Sequence, residues 1–196
     1  KVFPDRFVEM GITEQNMASL ASGMAAVGKV PFISSYAMFS PGRNWEQIRT
    51  TICYNNQNVK IAGAHSGVSV GPDGATHQAI EDMAITRVIP NMAVIAPCDS
   101  IEAKKATIAA ARYKGPVYIR FTREKTPVIT TEKTPFEIGK AYVFRAGTDV
   151  TLIATGTMTY QALAAADVLA KDGISAEVVH VPTIKPLDTK TILASV

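Results

Sequence analysis

Residues 59–78 read VKIAGAHSGVSVGPDGATHQ, an apolar run that passes directly into a glycine-rich loop with two histidines and an aspartate. The run 59–64 is short and apolar, which predicts a buried strand. The three glycines after it are unfavourable in a helix and let backbone approach a ligand closely. Ligands of open parallel sheets bind beyond the carboxyl ends of the strands, so His65 follows a strand at a typical ligand position.

Helical and strand patterns alternate on both sides of this loop. Small and apolar residues at helical spacing, ended by glycine, mark the helices, and short apolar runs mark the strands. Asp99 and Glu102 form a predicted capping box before one helix, and Pro41 precedes another. Helices are predicted at 13–27, 42–54, 78–88 and 100–114, and strands at 30–36, 59–64, 92–97 and 116–121.

Residues 122–138 differ in composition, with scattered threonines, two prolines and several charges, and are predicted to be a linker. A strand, a helix and a strand are predicted after it, at 149–156, 157–173 and 174–181. This pattern predicts an α/β fold: a parallel sheet with helices on both faces in residues 1–121, then an incomplete second α/β domain at 139–196. We expect both chain ends to be cuts through a longer protein, with the first domain truncated at its N-terminus.

The composition argues against several classes of function. The net charge is +3 without a run of Lys or Arg, so we expect no nucleic-acid partner. The apolar stretches are far shorter than the roughly 20 residues of a membrane span, so no membrane association is expected. Cys53 and Cys98 each lie in an apolar segment, which favours two buried free thiols and a cytoplasmic protein.

The loop and the first helix supply the candidate catalytic groups. His65 and His77 flank Asp73, and histidine is the side chain best suited to proton transfer near neutral pH; a solvated turn with incidental histidines is the alternative. Glu14 begins a helix, where the helix dipole stabilises a carboxylate, or it only caps that helix.

Further candidates follow two of the predicted strands. Tyr36 and Phe39 end one strand and are either core residues or a platform that stacks on a ring. Arg123 follows a strand and could bind a phosphate, and an exposed surface charge is the alternative for both Arg123 and Arg43. His180 lies in a predicted strand and is expected to have no catalytic role.

Five motifs in this order resemble the pyrimidine-binding domain of transketolases. The segment 139–188 is similar to the start of the C-terminal domain of the same family, and the chain as a whole is closest to the C-terminal subunit of split transketolases. The motifs are GITEQNM (11–17), YAMFSPGR (36–43), GAHSGVSVGPDGATHQ (63–78), IPNMAVIAPCD (89–99) and GPVYIRFTRE (115–124).

The resemblance implies thiamine diphosphate as cofactor and transfer of a two-carbon ketol unit from a ketose phosphate to an aldose phosphate. It implies that Glu14 bonds the aminopyrimidine ring nitrogen and that Tyr36 and Phe39 stack on this ring. Arg43 falls near an arginine of related synthases and is assigned to cofactor binding.

The same resemblance assigns the substrate-binding residues. His65 and Arg123 match positions that hold the sugar phosphate, and Asp73 matches a ligand of a donor hydroxyl. His77 matches a residue that contacts the hydroxyls at the reacting carbons and helps to move a proton.

The family's Gly-Asp-Gly motif, which binds the diphosphate and the metal, is absent from these 196 residues. No metal ligand is therefore assigned to this chain. The resemblance implies a partner, the diphosphate-binding N-terminal transketolase subunit, which would carry the magnesium or calcium ion. A homo-oligomer of the pyrimidine domain or a heterotetramer is expected, and the chain alone is expected to be inactive.

Three alternatives remain. Deoxyxylulose-phosphate synthases have a similar domain, but they carry Asp-Arg-Ala-Gly where this chain has residues 64–67, AHSG. The beta subunits of 2-oxo acid dehydrogenases lack the GPDGATHQ string. A non-catalytic structural subunit of the same fold would have no use for Glu14.

Overall fold

The computed structural model describes residues 2–195, which form two sheets with six α-helices. The strands are β1 (Phe32–Tyr36), β2 (Lys60–Ala64), β3 (Ala93–Ile95), β4 (Val117–Arg120), β5 (Tyr142–Arg145), β6 (Val150–Ala154), β7 (Ala176–His180) and β8 (Thr183–Lys185). The helices are α1 (Glu14–Ala26), α2 (Trp45–Gln47), α3 (Asp82–Arg87), α4 (Ser100–Arg112), α5 (Met158–Lys171) and α6 (Thr189–Ala194). A π-helical segment, Ile48–Cys53, continues α2, and 3₁₀ turns lie at Pro4–Arg6 and Val68–Asp73.

The first sheet has the order β1-β2-β4-β3-β8, and its first four strands are parallel. Alternate strand residues bury their side chains on opposite faces. Ile61 and Val94 pack with α1 and the π-helical segment, whereas Val117 and Ile119 pack with α4. The predicted α/β fold, with helices on both faces of a parallel sheet, is confirmed.

The second sheet has the order β5-β7-β6, and α5 packs on one of its faces through Ala166. Two strands depart from the predicted parallel arrangement. β5 runs antiparallel to β7, and β8 leaves the second unit to pair antiparallel with β3 in the first sheet. β8 thereby covers an edge that β3 would otherwise expose, and it ties the two units together.

Several predicted boundaries were wrong in detail. The helix predicted at 42–54 begins only at Trp45, because the chain turns so tightly that a Cβ on Gly42 would lie 1.8 Å from the Met38 carbonyl oxygen. The helix predicted at 78–88 is confined to Asp82–Arg87. β5, β8 and α6 were not predicted.

Residues 122–138 form no helix or strand, as expected for a linker, but the segment is anchored. The Asp99 carboxylate accepts hydrogen bonds from the backbone N–H groups of Ile129 and Thr130 and from the Thr130 hydroxyl, while it also caps α4. Burial raises the pKa of Asp99, but these hydrogen bonds outweigh it and hold the pKa below its usual range. The boundaries 1–121, 122–138 and 139–196 stay predictions.

Both cysteines are buried and free, as predicted. Within residues 2–195, no helix has the length and apolarity that crossing a membrane requires.

Candidate active site

The register between β1 and β2 brings the first predicted site residues together. Tyr36 pairs with Ala64, so the Tyr36 ring stacks on His65, with centroids 4.1 Å apart and planes 10° apart. The ring centroid of Phe39 lies 6.3 Å from that of Tyr36, and the His77 ring is T-shaped to both, with centroids 6.1 Å from Tyr36 and 5.3 Å from Phe39. We call Tyr36, Phe39, His65 and His77 the ring cluster.

His65 is held in an unfavourable conformation at the end of β2. Its φ of 53° lies in the left-handed region, which costs a non-glycine residue roughly 1–2 kcal/mol. Its Nδ1 atom is buried and has no hydrogen-bond partner among residues 2–195. Strained residues and unpaired buried polar atoms concentrate at functional sites, where a ligand supplies the missing contact.

Glu14 is the first residue of α1, and its side chain is 7% exposed. Its Oε2 accepts a hydrogen bond of 2.8 Å from Arg43 Nη1, and the Arg43 guanidinium lies 4.7 Å above the centre of the Phe39 ring. The structure gives Glu14 Oε1 no hydrogen-bond partner within the described residues. Glu14 and the ring cluster therefore form one continuous set of contacts, joined by Arg43.

Asp73 and Arg123, also predicted as site residues, form a pair of their own. The Arg123 Nη1 atom lies 3.9 Å from Asp73 Oδ2 and donates a 2.6 Å hydrogen bond to the Val70 carbonyl. Both side chains remain more than a third exposed, so either can bind a solute. Arg123 also lines a cleft of about 390 Å³ at the carboxyl ends of β3 and β4.

Three supporting residues were missed. Asn44 is fully buried, and its Nδ2 donates to the Glu14 carbonyl and to Ser40 Oγ, which fixes the start of α1. Asp82, the first residue of α3, is buried and accepts hydrogen bonds from Tyr118 and from Arg120. Arg120 ends β4, so the rule that selected Arg123 would also have found it.

A second buried glutamate connects the two sheets. Glu102 Oε2 accepts from the Cys98 backbone N–H at 2.7 Å and lies 2.9 Å from His180 Nε2, whereas His180 Nδ1 lies 2.7 Å from Thr159 Oγ1. The Cys98, Glu102 and His180 ligand atoms lie within 4.8 Å of one another, close enough for a metal ion. However, Glu102 and His180 already bond to each other, and burial together with Glu102 raises the Cys98 pKa, which disfavours the thiolate a metal requires. We interpret this group as structural, in agreement with the role expected for His180.

Comparison with known proteins identifies the family. The family model of the transketolase pyrimidine-binding domain matches residues 1–128, and that of the transketolase C-terminal domain matches residues 139–196. The chain belongs to the transketolase family. Members of this family are transferases that depend on thiamine diphosphate.

Individual relatives narrow the assignment to the C-terminal section of transketolase. A Methanocaldococcus jannaschii protein that carries the name transketolase C-terminal section is 49% identical over all of this chain and 62% of its own length. A 6-deoxy-6-sulfo-D-fructose transketolase subunit of Clostridium sp. (strain MSTE9) is 41% identical over 98% of this chain and 60% of its own length. This transketolase chain thus spans about three fifths of the length of these relatives.

A solved structure agrees with the sequence relatives. It is described as a split gene transketolase, inactive beta4 tetramer, and superposes with a TM-score of 0.92 at 46% identity over 98% of this chain and 62% of that one. The fold of this transketolase section therefore has a close structural counterpart.

Proposed function

We propose that this chain supplies half of a transketolase active site, which transfers a two-carbon ketol unit from a ketose phosphate to an aldose phosphate. The observation that carries the proposal is the buried carboxylate of Glu14, whose Oε1 is unpaired among residues 2–195 and which Arg43 joins to the ring cluster. A buried carboxylate with an open oxygen beside aromatic rings suits a flat, nitrogen-containing ring.

The residues fit the aminopyrimidine part of thiamine diphosphate. Glu14 would bond its ring nitrogen, Tyr36 and Phe39 would pack against its face, and Arg43 would hold the Glu14 carboxylate in position. When bound, thiamine diphosphate supplies the electron sink for cleavage of the ketose. A partner subunit would bind the diphosphate together with a magnesium or calcium ion.

The remaining residues would bind the sugar. His77 lies against both aromatic rings and would move a proton at the reacting carbons, since an imidazole can both accept and donate a proton. His65 has a buried Nδ1 that can bond a ligand, and Arg123 and Asp73 would bind the phosphate and a hydroxyl group. The relative named for a sulfo-fructose substrate supports an anionic sugar.

Two observations support a divided site. The chain is similar to a protein that carries the name transketolase C-terminal section, and the similar solved structure, a split gene transketolase tetramer of one subunit type, is described as inactive. Both suggest that the protein acts with a diphosphate-binding partner, in a heterotetramer or a related assembly.

The test is reconstitution. The intact protein is mixed with the diphosphate-binding subunit, thiamine diphosphate and magnesium, and ketol transfer from xylulose 5-phosphate to ribose 5-phosphate is measured, with each subunit alone as a control. Transfer in the mixture only is expected. Condensation of pyruvate with glyceraldehyde 3-phosphate instead would identify a synthase, and cofactor binding without either reaction would leave a structural subunit.

A further inference from the structure

We propose that Arg120, oriented by the buried carboxylate of Asp82, is a specificity-determining residue that binds the anionic terminus of the substrate together with Arg123. This inference rests on the proposed function and adds a residue that the sequence motifs did not assign.

Asp82 fixes the orientation of Arg120. The Arg120 Nε atom lies 3.0 Å from Asp82 Oδ2 and 3.3 Å from Oδ1, and Asp82 also accepts a 2.6 Å hydrogen bond from the Tyr118 hydroxyl. Asp82 is 1% exposed, so this arrangement is held in the interior. A buried carboxylate with two donors locks the guanidinium into one position.

The outer half of the guanidinium is free. Only Nε donates to Asp82, and the structure gives Nη1 and Nη2 no acceptor in the part of the chain it describes. The side chain is 19% exposed, so these amino groups are accessible rather than buried and unpaired. Asp82 balances the charge of Arg120, but it leaves a planar pair of donors that suits an anion with two oxygens.

The free amino groups lie at the predicted substrate loop. A Cβ on Gly67 would be only 2.9 Å from Arg120 Nη2, so the guanidinium ends directly against this loop, two residues after His65. Gly67 has a φ of 75°, which glycine adopts without strain, and its lack of a side chain leaves room for the guanidinium.

Arg120 and Arg123 line the same cleft of about 390 Å³. The Asp99 carboxylate, which also borders it, is occupied by its hydrogen bonds to the 122–138 segment and to α4. Two arginines from one strand end therefore present donors to a single space, a geometry that suits the terminal phosphate or sulfonate of a sugar.

The first experiment separates recognition of the anion from recognition of the sugar. The intact protein, assembled with its partner, is assayed with one fixed donor and with either ribose 5-phosphate or ribose as acceptor. For Arg120→Gln we expect KM for ribose 5-phosphate to rise about 10- to 100-fold, with kcat little changed and kcat/KM for ribose within about two-fold of wild type. Arg120→Lys should recover part of the loss. Lys125→Gln, which removes an exposed cation of the same cleft, should behave as wild type.

The second experiment does not depend on activity. Inorganic phosphate should raise the Tm of the wild-type protein and of Lys125→Gln, and this increase should be lost in Arg120→Gln. An equal loss of kcat/KM for both acceptors, or a phosphate effect that survives Arg120→Gln, would overturn the inference. If the wild-type assembly transfers no ketol, the proposed function fails, while the phosphate measurement still decides whether Arg120 binds an anion.

Discussion

Glu14 and Glu102 are two buried glutamates in the first turns of helices, and they differ in how their carboxylates are satisfied. Glu102 is 1% exposed and bonds to the Cys98 backbone and to His180. Glu14 is 7% exposed, and within residues 2–195 its carboxylate bonds only to Arg43, which is itself half exposed. The Glu102 carboxylate is therefore satisfied by two groups of the same chain, whereas within residues 2–195 only the Arg43 guanidinium contacts the Glu14 carboxylate.

This difference distinguishes the Glu102 carboxylate, which stabilises the fold, from the Glu14 carboxylate, which we propose binds the cofactor. Burying a carboxylate is unfavourable unless hydrogen bonds or cations compensate, and Glu102 has that compensation from within the chain. Glu14 lies beside the ring cluster, where His65 Nδ1 is buried without a hydrogen-bond partner among residues 2–195. The incompletely paired Glu14 carboxylate and this nitrogen are the physical basis for the active site that we propose to be shared.

The largest expected effect is on activity. Glu14→Gln should lower kcat of the reconstituted enzyme by about 1,000-fold or more, because the amide cannot replace the carboxylate at a ring nitrogen. The Tm should change little, since glutamine keeps the shape of the side chain and the Asn44 hydrogen bond to the backbone carbonyl, and Arg43 is half exposed. Glu102→Gln is the matched control and should retain most of its kcat at temperatures where it is folded. Similar losses of kcat in Glu14→Gln and Glu102→Gln would show that the two glutamates do not differ in function.

For the free energy of unfolding, Glu102 should matter more than Glu14. Glu102→Ala should lower the free energy of unfolding by about 3 kcal/mol, because it leaves buried His180 without its partner. Chemical denaturation of Glu102→Ala, His180→Ala and the double variant measures their coupling, expected at about 1–3 kcal/mol.

An exposed ion pair provides the control for this cycle. Lys104 and Glu132 lie 3.3 Å apart with both side chains largely exposed, and their coupling should be about 0.5 kcal/mol or less. Equal coupling in the two pairs would show that burial of Glu102 and His180 has no energetic consequence.

Lys60 extends the comparison to a buried cation, because its ammonium group, like the Glu102 carboxylate, forms its hydrogen bonds with groups of the same chain. Its Nζ donates to Asn58 Oδ1 and to the carbonyls of Tyr113 and Gly115, and burial lowers its pKa to about 8. A lysine in the unfolded chain titrates near pH 10.4, so between about pH 8 and 10 the unfolded state holds more protons. The contribution of Lys60 to the free energy of unfolding should therefore rise with pH in this window, by up to about 1 kcal/mol per pH unit.

Lys60→Met isolates this contribution, because all other groups titrate in both proteins. The difference in free energy of unfolding between wild type and Lys60→Met, measured by denaturation at several pH values, should grow in favour of the wild type between about pH 8 and 10. Parallel pH profiles would show that Lys60 titrates normally in the folded protein.

Sequence patterns predicted the helices and strands that have clear periodicity, capping residues or a distinct apolar run. α1 and α4 have clear periodicity and caps, and β2 is an apolar run next to glycines, so all three were found. β8 has three residues and exists because it pairs with β3, nearly 90 residues earlier, which no local pattern encodes. Tertiary pairing overrides local propensity in such short segments.

The candidate site shows the same difference between what local sequence predicts and what tertiary packing determines. Position at strand and helix ends made Glu14, Tyr36, His65 and Arg123 candidates one by one, and the family resemblance assigned their roles. The contacts between them could not be predicted, because Arg43 and Glu14 are 29 residues apart and Asp82 and Arg120 are 38 apart. Spacing along the chain indicates which groups reach one sheet edge, but only the packed structure specifies which of them remain unpaired.

Binding of thiamine diphosphate tests the shared site most directly. Calorimetric titration would compare the intact protein alone, the diphosphate-binding subunit alone and their mixture, each with magnesium, and would repeat the mixture with Glu14→Gln and Glu102→Gln. We predict tight binding only in the mixture, retained in Glu102→Gln and weakened at least about 10-fold in Glu14→Gln. Tight binding by either subunit alone, or unchanged binding in Glu14→Gln, would contradict the assignment of the cofactor's pyrimidine half to this chain.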